Sequence, residues 1–242
     1  CIRDRVLSGH TGSSDFPVRP DAPQPELGGE HDGFVLELSP DGTEVRKGTF
    51  VGGSANEYPE HRLWLASDGS ILISGFTGSA DLATTTTLAP EDSGDGDAFV
   101  ARYSESGELL ESLRVGGSGS EFFLMPVQDE AGNVYAIGHT TSPDFPVTPS
   151  ALQPHYGGGN GDGVMIVLSP DLKRILYATY LGGSGHDMVR GLALTEEGHL
   201  LLVGVTESDD FPVSPGAIQQ ERGLKSDGFV VKLRIREGHS FD

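Results

Sequence analysis

The chain has 242 residues, of which 36% are hydrophobic and 7% aromatic, and it carries a formal net charge of −20 with an isoelectric point near 4.6. This acidic balance argues against a nucleic acid partner, since a duplex demands a basic surface, and against electrostatic docking on anionic lipid. The 35 glycines and 15 prolines leave few stretches long enough for helices and favour many short strands joined by turns.

A motif of the form Gly-x-Thr, followed by a Ser/Asp-rich stretch, occurs four times along the chain. Its glycines are separated by 66, 63 and 66 residues, and self-similarity at a fixed period indicates a repeat protein. The motif glycines are Gly9, Gly75, Gly138 and Gly204. We therefore divide the chain, treated as a single domain over 1–242, into units at approximately 5–56, 57–120, 121–186 and 187–242.

Each unit contains up to four strand-like segments, called a to d, bounded by the Gly, Pro, Asp and Ser residues typical of turns. Segment b is short and almost wholly apolar, which predicts a strand covered on both faces that ends at the glycine of the Gly-x-Thr turn. The copies of segment b are 5–9, 71–75, 134–138 and 200–204. The connection that follows b is rich in Pro and Gly and is expected to hold little regular structure.

Segment c begins with an aspartate in every unit, and these aspartates are 65 residues apart all three times. They are Asp32, Asp97, Asp162 and Asp227. Segment d ends in Gly-Gly-Ser, where paired glycines allow backbones to approach closely, and segment a leads through a glycine hairpin into the next b. The copies of d are 44–51, 109–115 and 174–181, and those of a are 62–66, 122–127 and 188–194.

Four antiparallel strands that recur at a fixed period predict a twisted sheet, and such sheets pack face to face around an axis in a β-propeller. The predicted fold is therefore an all-β propeller with four-stranded antiparallel blades, of which this chain holds about three and a half repeats of about 65 residues. The period exceeds the ~40 to 50 residues of common propeller repeats. Each blade is therefore expected to carry a long connection after segment b.

The combined motifs resemble the bacterial SBBP repeat, a family named for a seven-bladed β-propeller. The resemblance rests on Gly-x-Thr-x-Ser-x-Asp-Phe-Pro, on Asp-Gly/Ala-Phe-Val, and on the segments 180–187 and 132–135, and it covers nearly the whole chain. It implies a propeller in an exported or surface protein, with no defined activity or catalytic residues. The chain departs from the pattern at 81–83, at Val164, and at Glu57 and Glu121, which stand where the fourth unit has Asp187.

The strand count leaves the closure of the propeller open. The segments run b-c-d, a-b-c-d, a-b-c-d and a-b-c, which is 14 strands, and seven blades of this size would need roughly twice the length. The chain is therefore an arc of a larger propeller, a small irregular ring, or one of two chains that complete each other. Because exposed edge strands must be covered, we expect a partner segment or a second chain at the ends.

Calcium is the metal that the sequence favours most. Asp92, Asp95 and Asp97 lie within Asp-Ser-Gly-Asp-Gly-Asp and offer the oxygen ligands that calcium prefers. The competing and stronger interpretation is structural: the four aspartates that open segment c accept hydrogen bonds from turn amides. The aspartates of the Ser/Asp-rich stretch are also interpreted as structural repeat positions; they are Asp15, Asp144 and Asp210. No other cofactor and no catalytic residue is predicted.

The favoured function is a non-catalytic scaffold or interaction module of the bacterial cell surface, in which blade loops bind a protein or a glycan. The alternative is an accessory or catalytic propeller of a polysaccharide-degrading enzyme. Cys1 is the single cysteine and a candidate lipidation site, so contact with a membrane is expected only through a lipid on this residue. The expected location is extracellular or in the cell envelope, with an outer-membrane lipoprotein as one version.

Overall fold

The structure is a computed structural model, and it describes residues 5–89, 95–223, 225–236 and 241. Within these residues the chain forms fifteen β-strands and no helix. The first sheet contains β1 (Arg5–Thr11), β2 (Asp32–Leu38) and β3 (Val45–Val51), hydrogen-bonded in that order. The second contains β4 (Glu57–Leu65), β5 (Ile71–Thr77), β6 (Thr86–Leu88), β7 (Asp97–Tyr103) and β8 (Leu109–Val115), in the order β4-β5-β7-β8-β6.

The remaining strands form two further sheets. The third contains β9 (Glu121–Gln128), β10 (Val134–Thr140), β11 (Asp162–Leu168) and β12 (Ile175–Leu181), in the order β9-β10-β11-β12. The fourth contains β13 (Asp187–Leu194), β14 (His199–Thr206) and β15 (Asp227–Arg234), in that order. The prediction of an all-β chain built from antiparallel sheets is confirmed. One strand was not predicted: β6 lies within the connection after segment b and pairs parallel with β8.

The Gly-x-Thr motif belongs to strand b itself, so its interpretation as a turn was wrong. In all four sheets the motif threonine lies directly opposite the aspartate that opens segment c. The pairs are Thr11 with Asp32, Thr77 with Asp97, Thr140 with Asp162, and Thr206 with Asp227. Backbone pairing across the sheet extends each b strand beyond its glycine, because strand ends are set by cross-strand partners as well as by local propensity.

The long connection after strand b runs along the outer edge of strand d in the first and third sheets. In the first sheet Phe50 N–H donates to the carbonyl of Gln24 at 3.0 Å, and in the third sheet Tyr180 N–H donates to the carbonyl of Gln153 at 3.2 Å. These bonds engage backbone groups that an edge strand would otherwise present to solvent. The connection therefore covers the outer edge of each of these two sheets.

Successive sheets pack against one another through three separate cores. One lies between the first and second sheets, one between the second and third, and one between the third and fourth. Alternate side chains of strand β10 belong to two of these cores. Val134 and Ala136 face the second sheet, and Tyr135 and Ile137 face the fourth. The first strand of each later sheet contacts strands b and c of the sheet before it, as β9 contacts β5 and β7. The third sheet is thus covered on both faces.

Candidate functional site

A buried acidic side chain opens the first strand of the second, third and fourth sheets. Between the second and third sheets this residue is Glu121, which is 0% exposed. Its carboxylate accepts the backbone N–H of Gly117 at 2.9 Å and the hydroxyl of Thr140 at 2.5 Å, and it also accepts the hydroxyl of Ser142. Gly117 follows strand d of the earlier sheet, whereas Thr140 and Ser142 belong to the later sheet. One carboxylate therefore ties two sheets together.

The same arrangement occurs at the other two junctions. Between the first and second sheets Glu57 accepts the N–H of Gly53 at 2.8 Å and the hydroxyl of Thr77 at 2.7 Å. Between the third and fourth sheets, Asp187 accepts the N–H of Gly183 at 2.7 Å and a serine hydroxyl at 2.6 Å. The departure from aspartate to glutamate in the first two junctions therefore keeps the contact with the Gly-Gly-Ser turn.

A second carboxylate on the later sheet binds the serine of each Gly-Gly-Ser turn. Asp144 accepts the N–H of Ser118 at 2.8 Å and its hydroxyl at 2.9 Å, and these bonds hold the pKa of Asp144 below its usual value. The matching pairs are Asp81 with Ser54 and Asp210 with Ser184. Asp81 keeps this contact although the residues after it depart from Phe-Pro.

The serine two residues before that aspartate completes the contact. The hydroxyl of Ser142 accepts the N–H of Gly119 at 2.7 Å, and Ser208 accepts the N–H of Gly185 at 2.7 Å. We call the whole arrangement the Gly-Gly-Ser clasp. The first clasp comprises Gly53, Ser54, Glu57, Ser79 and Asp81; the second comprises Gly117, Ser118, Glu121, Ser142 and Asp144; the third comprises Gly183, Ser184, Asp187, Ser208 and Asp210.

The second glycine of each Gly-Gly-Ser turn has no room for a side chain. A Cβ atom on Gly117 would lie 2.5 Å from Oδ1 of Asp144 and 2.6 Å from Cβ of Ser142. Real Cβ atoms do not approach other atoms this closely. The glycine is therefore required by close approach of two sheets, since only a residue without Cβ lets the backbone reach the carboxylates.

In the first, third and fourth sheets, the aspartate that opens segment c accepts hydrogen bonds from the turn just before the strand. Asp32 accepts the N–H groups of Gly28 at 2.7 Å and Gly29 at 3.1 Å, and Asp162 accepts the N–H of Gly157 at 2.7 Å. Asp227 accepts the N–H of Gly223 at 2.6 Å. Burial raises the pKa of Asp162 to about 6, and the nearby charge of Asp187 adds to the shift.

A glutamine in the connection after strand b was missed by the sequence analysis. The side chain of Gln153 donates to Asp162 at 3.2 Å and accepts the N–H of Gly182 at 3.0 Å. Gln24 bridges Asp32 and Gly52 in the same way. The signal was the sequence Ala-x-Gln, which recurs at Ala22, Ala151 and Ala217. In the second sheet Arg114 takes over, with its Nε 3.3 Å from Oδ2 of the corresponding aspartate.

The calcium candidate is only partly within the described residues. Asp92 lies outside them, Asp95 is exposed, and Asp97 is buried beside Arg114. In the part of the chain that the structure describes, no group of three or more His, Cys, Asp or Glu side chains is arranged to hold a metal ion. Calcium binding at this loop stays a prediction. Cys1, the lipidation candidate, also lies outside the described residues.

An apolar cleft of about 420 Å³ opens where the first three sheets meet. We call it the aromatic cleft; it is lined by His10, Tyr58, Pro59, Glu60, Phe76 and Phe122. The ring of Tyr58 meets that of His10 edge-on at 5.0 Å and lies nearly parallel to that of Phe76 at 6.0 Å. Among the six lining residues Glu60 is the one carboxylate. The cleft thus combines stacked rings with a single negative charge.

Strand β4 is irregular where it borders the aromatic cleft. Pro59 lies opposite Gly75 and Leu63 lies opposite Ile73, so residues 60–62 stand opposite a single residue of β5. The corresponding irregularities in β9 and β13 insert one extra residue each. Bulges re-aim side chains and are frequent beside binding sites. Glu60 belongs to this wider bulge and lies in the wall of the cleft.

Two histidines continue the line of rings beyond the cleft. The ring of His139 lies 5.4 Å from that of Phe122 and 4.9 Å from that of His186. His139 is buried, and burial together with the charge of His186 lowers its pKa to about 4. The ring is therefore neutral at neutral pH. It acts as a packed aromatic in the position that Phe76 occupies in the second sheet.

Comparison with known proteins assigns no family: no family model matches the chain, and no curated protein matches it. The structure also contains, over its described residues, no helix long and apolar enough to cross a membrane. The site must therefore be interpreted from its own geometry. That geometry has two parts, the three clasps and the aromatic cleft.

Proposed function

We propose that the chain is a non-catalytic interaction module of the bacterial cell envelope that binds a protein or a glycan. The observation that carries this proposal is the aromatic cleft, in which rings from three successive sheets line one space of about 420 Å³. This volume lies within the ~300–1,000 Å³ range of small-molecule sites. The polar residues that end strand b in the second, third and fourth sheets, in contrast, are engaged in the clasps between sheets.

The chemistry of the cleft fits a sugar ring better than a charged ligand. Aromatic faces pack against the apolar C–H faces of a sugar, and carboxylate oxygens accept hydrogen bonds from its hydroxyl groups. Tyr58 and Phe76 offer such faces, and Glu60 offers the acceptor. A glycan of the envelope is therefore the ligand class that we propose for the cleft.

We propose further that the four sheets are blades of a β-propeller of the SBBP type. The support is the serial packing of the sheets, with β4, β9 and β13 as the first strands and with contacts from β4 to β9 and from β9 to β13. In a propeller the first strands of successive blades line the central axis. Surface location, a lipid on Cys1 and calcium at the loop before β7 complete this proposal.

The cleft is tested by titrating the purified chain with bacterial cell-wall and extracellular polysaccharide fragments in a calorimeter. We expect one class of fragment to bind, and Tyr58→Ala to weaken binding by roughly tenfold because the ring supplies the stacking face. Tyr156→Ala removes an aromatic ring outside the cleft and serves as the matched control. Equal affinities for the two variants, or no bound fragment at all, would reject the glycan proposal.

The same titrations address the polysaccharide-degrading alternative. Canonical glycoside hydrolases use two carboxylates that flank the bond to be cleaved, and the wall of the cleft includes Glu60 as its single carboxylate. Bound fragments should therefore be recovered intact after prolonged incubation. New reducing ends that appear with the wild-type chain but not with Glu60→Gln would establish the alternative instead.

A further inference from the structure

The first sheet carries half of a Gly-Gly-Ser clasp, and no counterpart to it lies within the described residues. In the three complete clasps, the later sheet supplies a threonine, a serine and an aspartate from the end of strand b. Alignment of the repeats places Thr11, Ser13 and Asp15 at these positions in the first sheet. Strand β1 pairs with β2 on one side, and the described residues include no strand at its other edge.

The half-clasp already has the geometry of the complete ones. Ser13 N–H donates to the hydroxyl of Thr11 at 3.0 Å, as Ser142 N–H donates to Thr140 at 2.9 Å and Ser208 N–H to Thr206 at 3.0 Å. Phe16 follows the turn directly in sequence and packs against strand β2, with its ring 4.4 Å from that of Phe34. The site is therefore formed before anything binds to it.

Exposure separates the half-clasp from its three counterparts. Ser142 is 0% exposed and Ser208 is 2% exposed because a Gly-Gly-Ser turn covers each, whereas Ser13 is exposed. Strand β1 shows the same contrast, since Leu7 is 44% exposed and its counterpart Ile73 is 0% exposed. A preformed polar turn thus lies beside a strand that has an uncovered face and, among the described residues, an unpaired edge.

We propose that this end of the first sheet binds a segment of the form Gly-Gly-Ser-x-x-Asp/Glu followed by an apolar strand, presented by a further repeat unit of this kind. The three complete clasps define the ligand chemistry. The glycine N–H binds the segment's own acid, the serine N–H and hydroxyl bind Asp15, and the following strand pairs with the free edge of β1. The proposal does not depend on the aromatic cleft or on its ligand.

A second folded copy of the chain does not fit this site. The sequence contains Gly-Gly-Ser three times, ending at Ser54, Ser118 and Ser184, and each copy is held in a clasp within the chain. A second copy would have to open one of its own junctions to donate such a turn. The ligand is therefore an additional repeat segment, which is more specific than a second chain completing a ring.

The probe for this site is a synthetic peptide with the sequence of residues 182–194, Gly-Gly-Ser-Gly-His-Asp followed by the apolar strand of β13. We expect it to bind the intact chain with one-to-one stoichiometry. Asp15→Ala should weaken binding by about tenfold, because it removes the charged group that would accept the N–H and the hydroxyl of the peptide serine. Asp21→Ala removes another exposed aspartate, which pairs with Arg19, and should leave the affinity unchanged.

A peptide variant separates specific docking from general strand adhesion. Gly183→Ala in the peptide places a Cβ where the third clasp has Oδ1 of Asp210 at 2.4 Å, so this peptide should bind at least about tenfold more weakly. Equal binding of the two peptides, or equal affinity of wild-type chain and Asp15→Ala, would overturn the proposal. Self-association of the chain that the peptide cannot displace would overturn it as well.

Discussion

The second and third clasps share the hydrogen bonds of the Gly-Gly-Ser turn, but the buried aspartate of segment c that lies beside each clasp has different partners. At the second clasp Asp97 lies beside the guanidinium of Arg114, at 3.3 Å. At the third, the donors that Asp162 has among the described residues are neutral, the side chain of Gln153 and a backbone amide, and burial raises the pKa of Asp162 to about 6. The repeat therefore fixes where the clasp bonds lie, whereas the buried aspartate of segment c is stabilised by a cation at one junction and by neutral donors at the other.

The largest loss of stability is expected from substituting the second glycine of the turn, which makes the same close contacts in both clasps. Gly117→Ala and Gly183→Ala each push a methyl group onto carboxylate and serine atoms within 2.4–2.7 Å, which overpacks the junction and breaks its hydrogen bonds. Each substitution should lower the free energy of unfolding by about 4 kcal/mol, measured by chemical denaturation.

The control for these glycines is Gly78→Ala. A Cβ at Gly78 would meet its nearest atom, the carbonyl oxygen of Asn56, at 3.5 Å, an ordinary contact. The free energy of unfolding of this variant should lie within about 1 kcal/mol of the wild-type value. If Gly117→Ala were as mild as Gly78→Ala, close approach of the sheets would not be what requires the glycine.

The next largest loss of stability is expected at the second clasp alone, because only there, among the described residues, does an arginine lie beside the segment c aspartate. Arg114 is 11% exposed in its side chain, so Arg114→Gln removes a buried cation and leaves Asp97 without its nearest positive charge. Breaking a buried pair costs ~3–5 kcal/mol, and we expect about 3 kcal/mol at neutral pH because the glutamine can still donate one hydrogen bond. A loss below about 1 kcal/mol would show that the cation is dispensable and that the two junctions are electrostatically equivalent.

The sequence predicted the clasps only in part. The strands, the fixed 65-residue spacing of the c aspartates and the close approach at Gly-Gly-Ser follow from local pattern, since alternation and glycine pairs are visible in single segments. The partners of Gly117 and Ser118 are instead Glu121 nearby and Asp144 on the next sheet. A contact that joins two units is encoded in neither unit alone.

The aromatic cleft was beyond prediction for a related reason. Tyr58, Phe76 and Phe122 lie on different strands of two sheets, and nothing in their spacing indicates that they line one space. The bulge of residues 60–62 made the cleft still harder to predict. A shift in strand register is not visible in the residue pattern of a single strand. The pattern predicted a ligand site on the blade loops, whereas the cleft lies among strands.

A smaller effect depends on pH and belongs to the third clasp. The folded-state pKa of Asp162, about 6, exceeds the unfolded value, so the folded state binds the proton more tightly. Stability from this group is present below the unfolded pKa and is lost as the pH rises through about 6. Relative to Asp162→Asn, the wild type should therefore gain about 2 kcal/mol between pH 7 and pH 4.

The measurement is the difference between the two unfolding curves at each pH. Taking the difference cancels His139, whose pKa is lowered to about 4 and which acts in the opposite direction, since stability from a neutral buried histidine is lost as the pH falls. Asp97→Asn is the comparison at the second clasp. A difference curve for Asp162→Asn that stays flat from pH 7 to pH 4 would remove the electrostatic contrast between the junctions.

The smallest effect compares a complete clasp with the half-clasp of the first sheet. Ser142→Ala removes a hydroxyl that donates to Glu121 and accepts the N–H of Gly119, and should cost about 1–2 kcal/mol since both partners stay buried. Ser13→Ala removes the equivalent exposed hydroxyl and should cost within ~0.5 kcal/mol. If the 182–194 peptide binds as proposed, Ser13→Ala should reduce its affinity while leaving the stability of the free chain unchanged. A serine that matters only when the segment is bound is the signature of an unfilled clasp, because the wild-type hydroxyl gains its partners from the ligand.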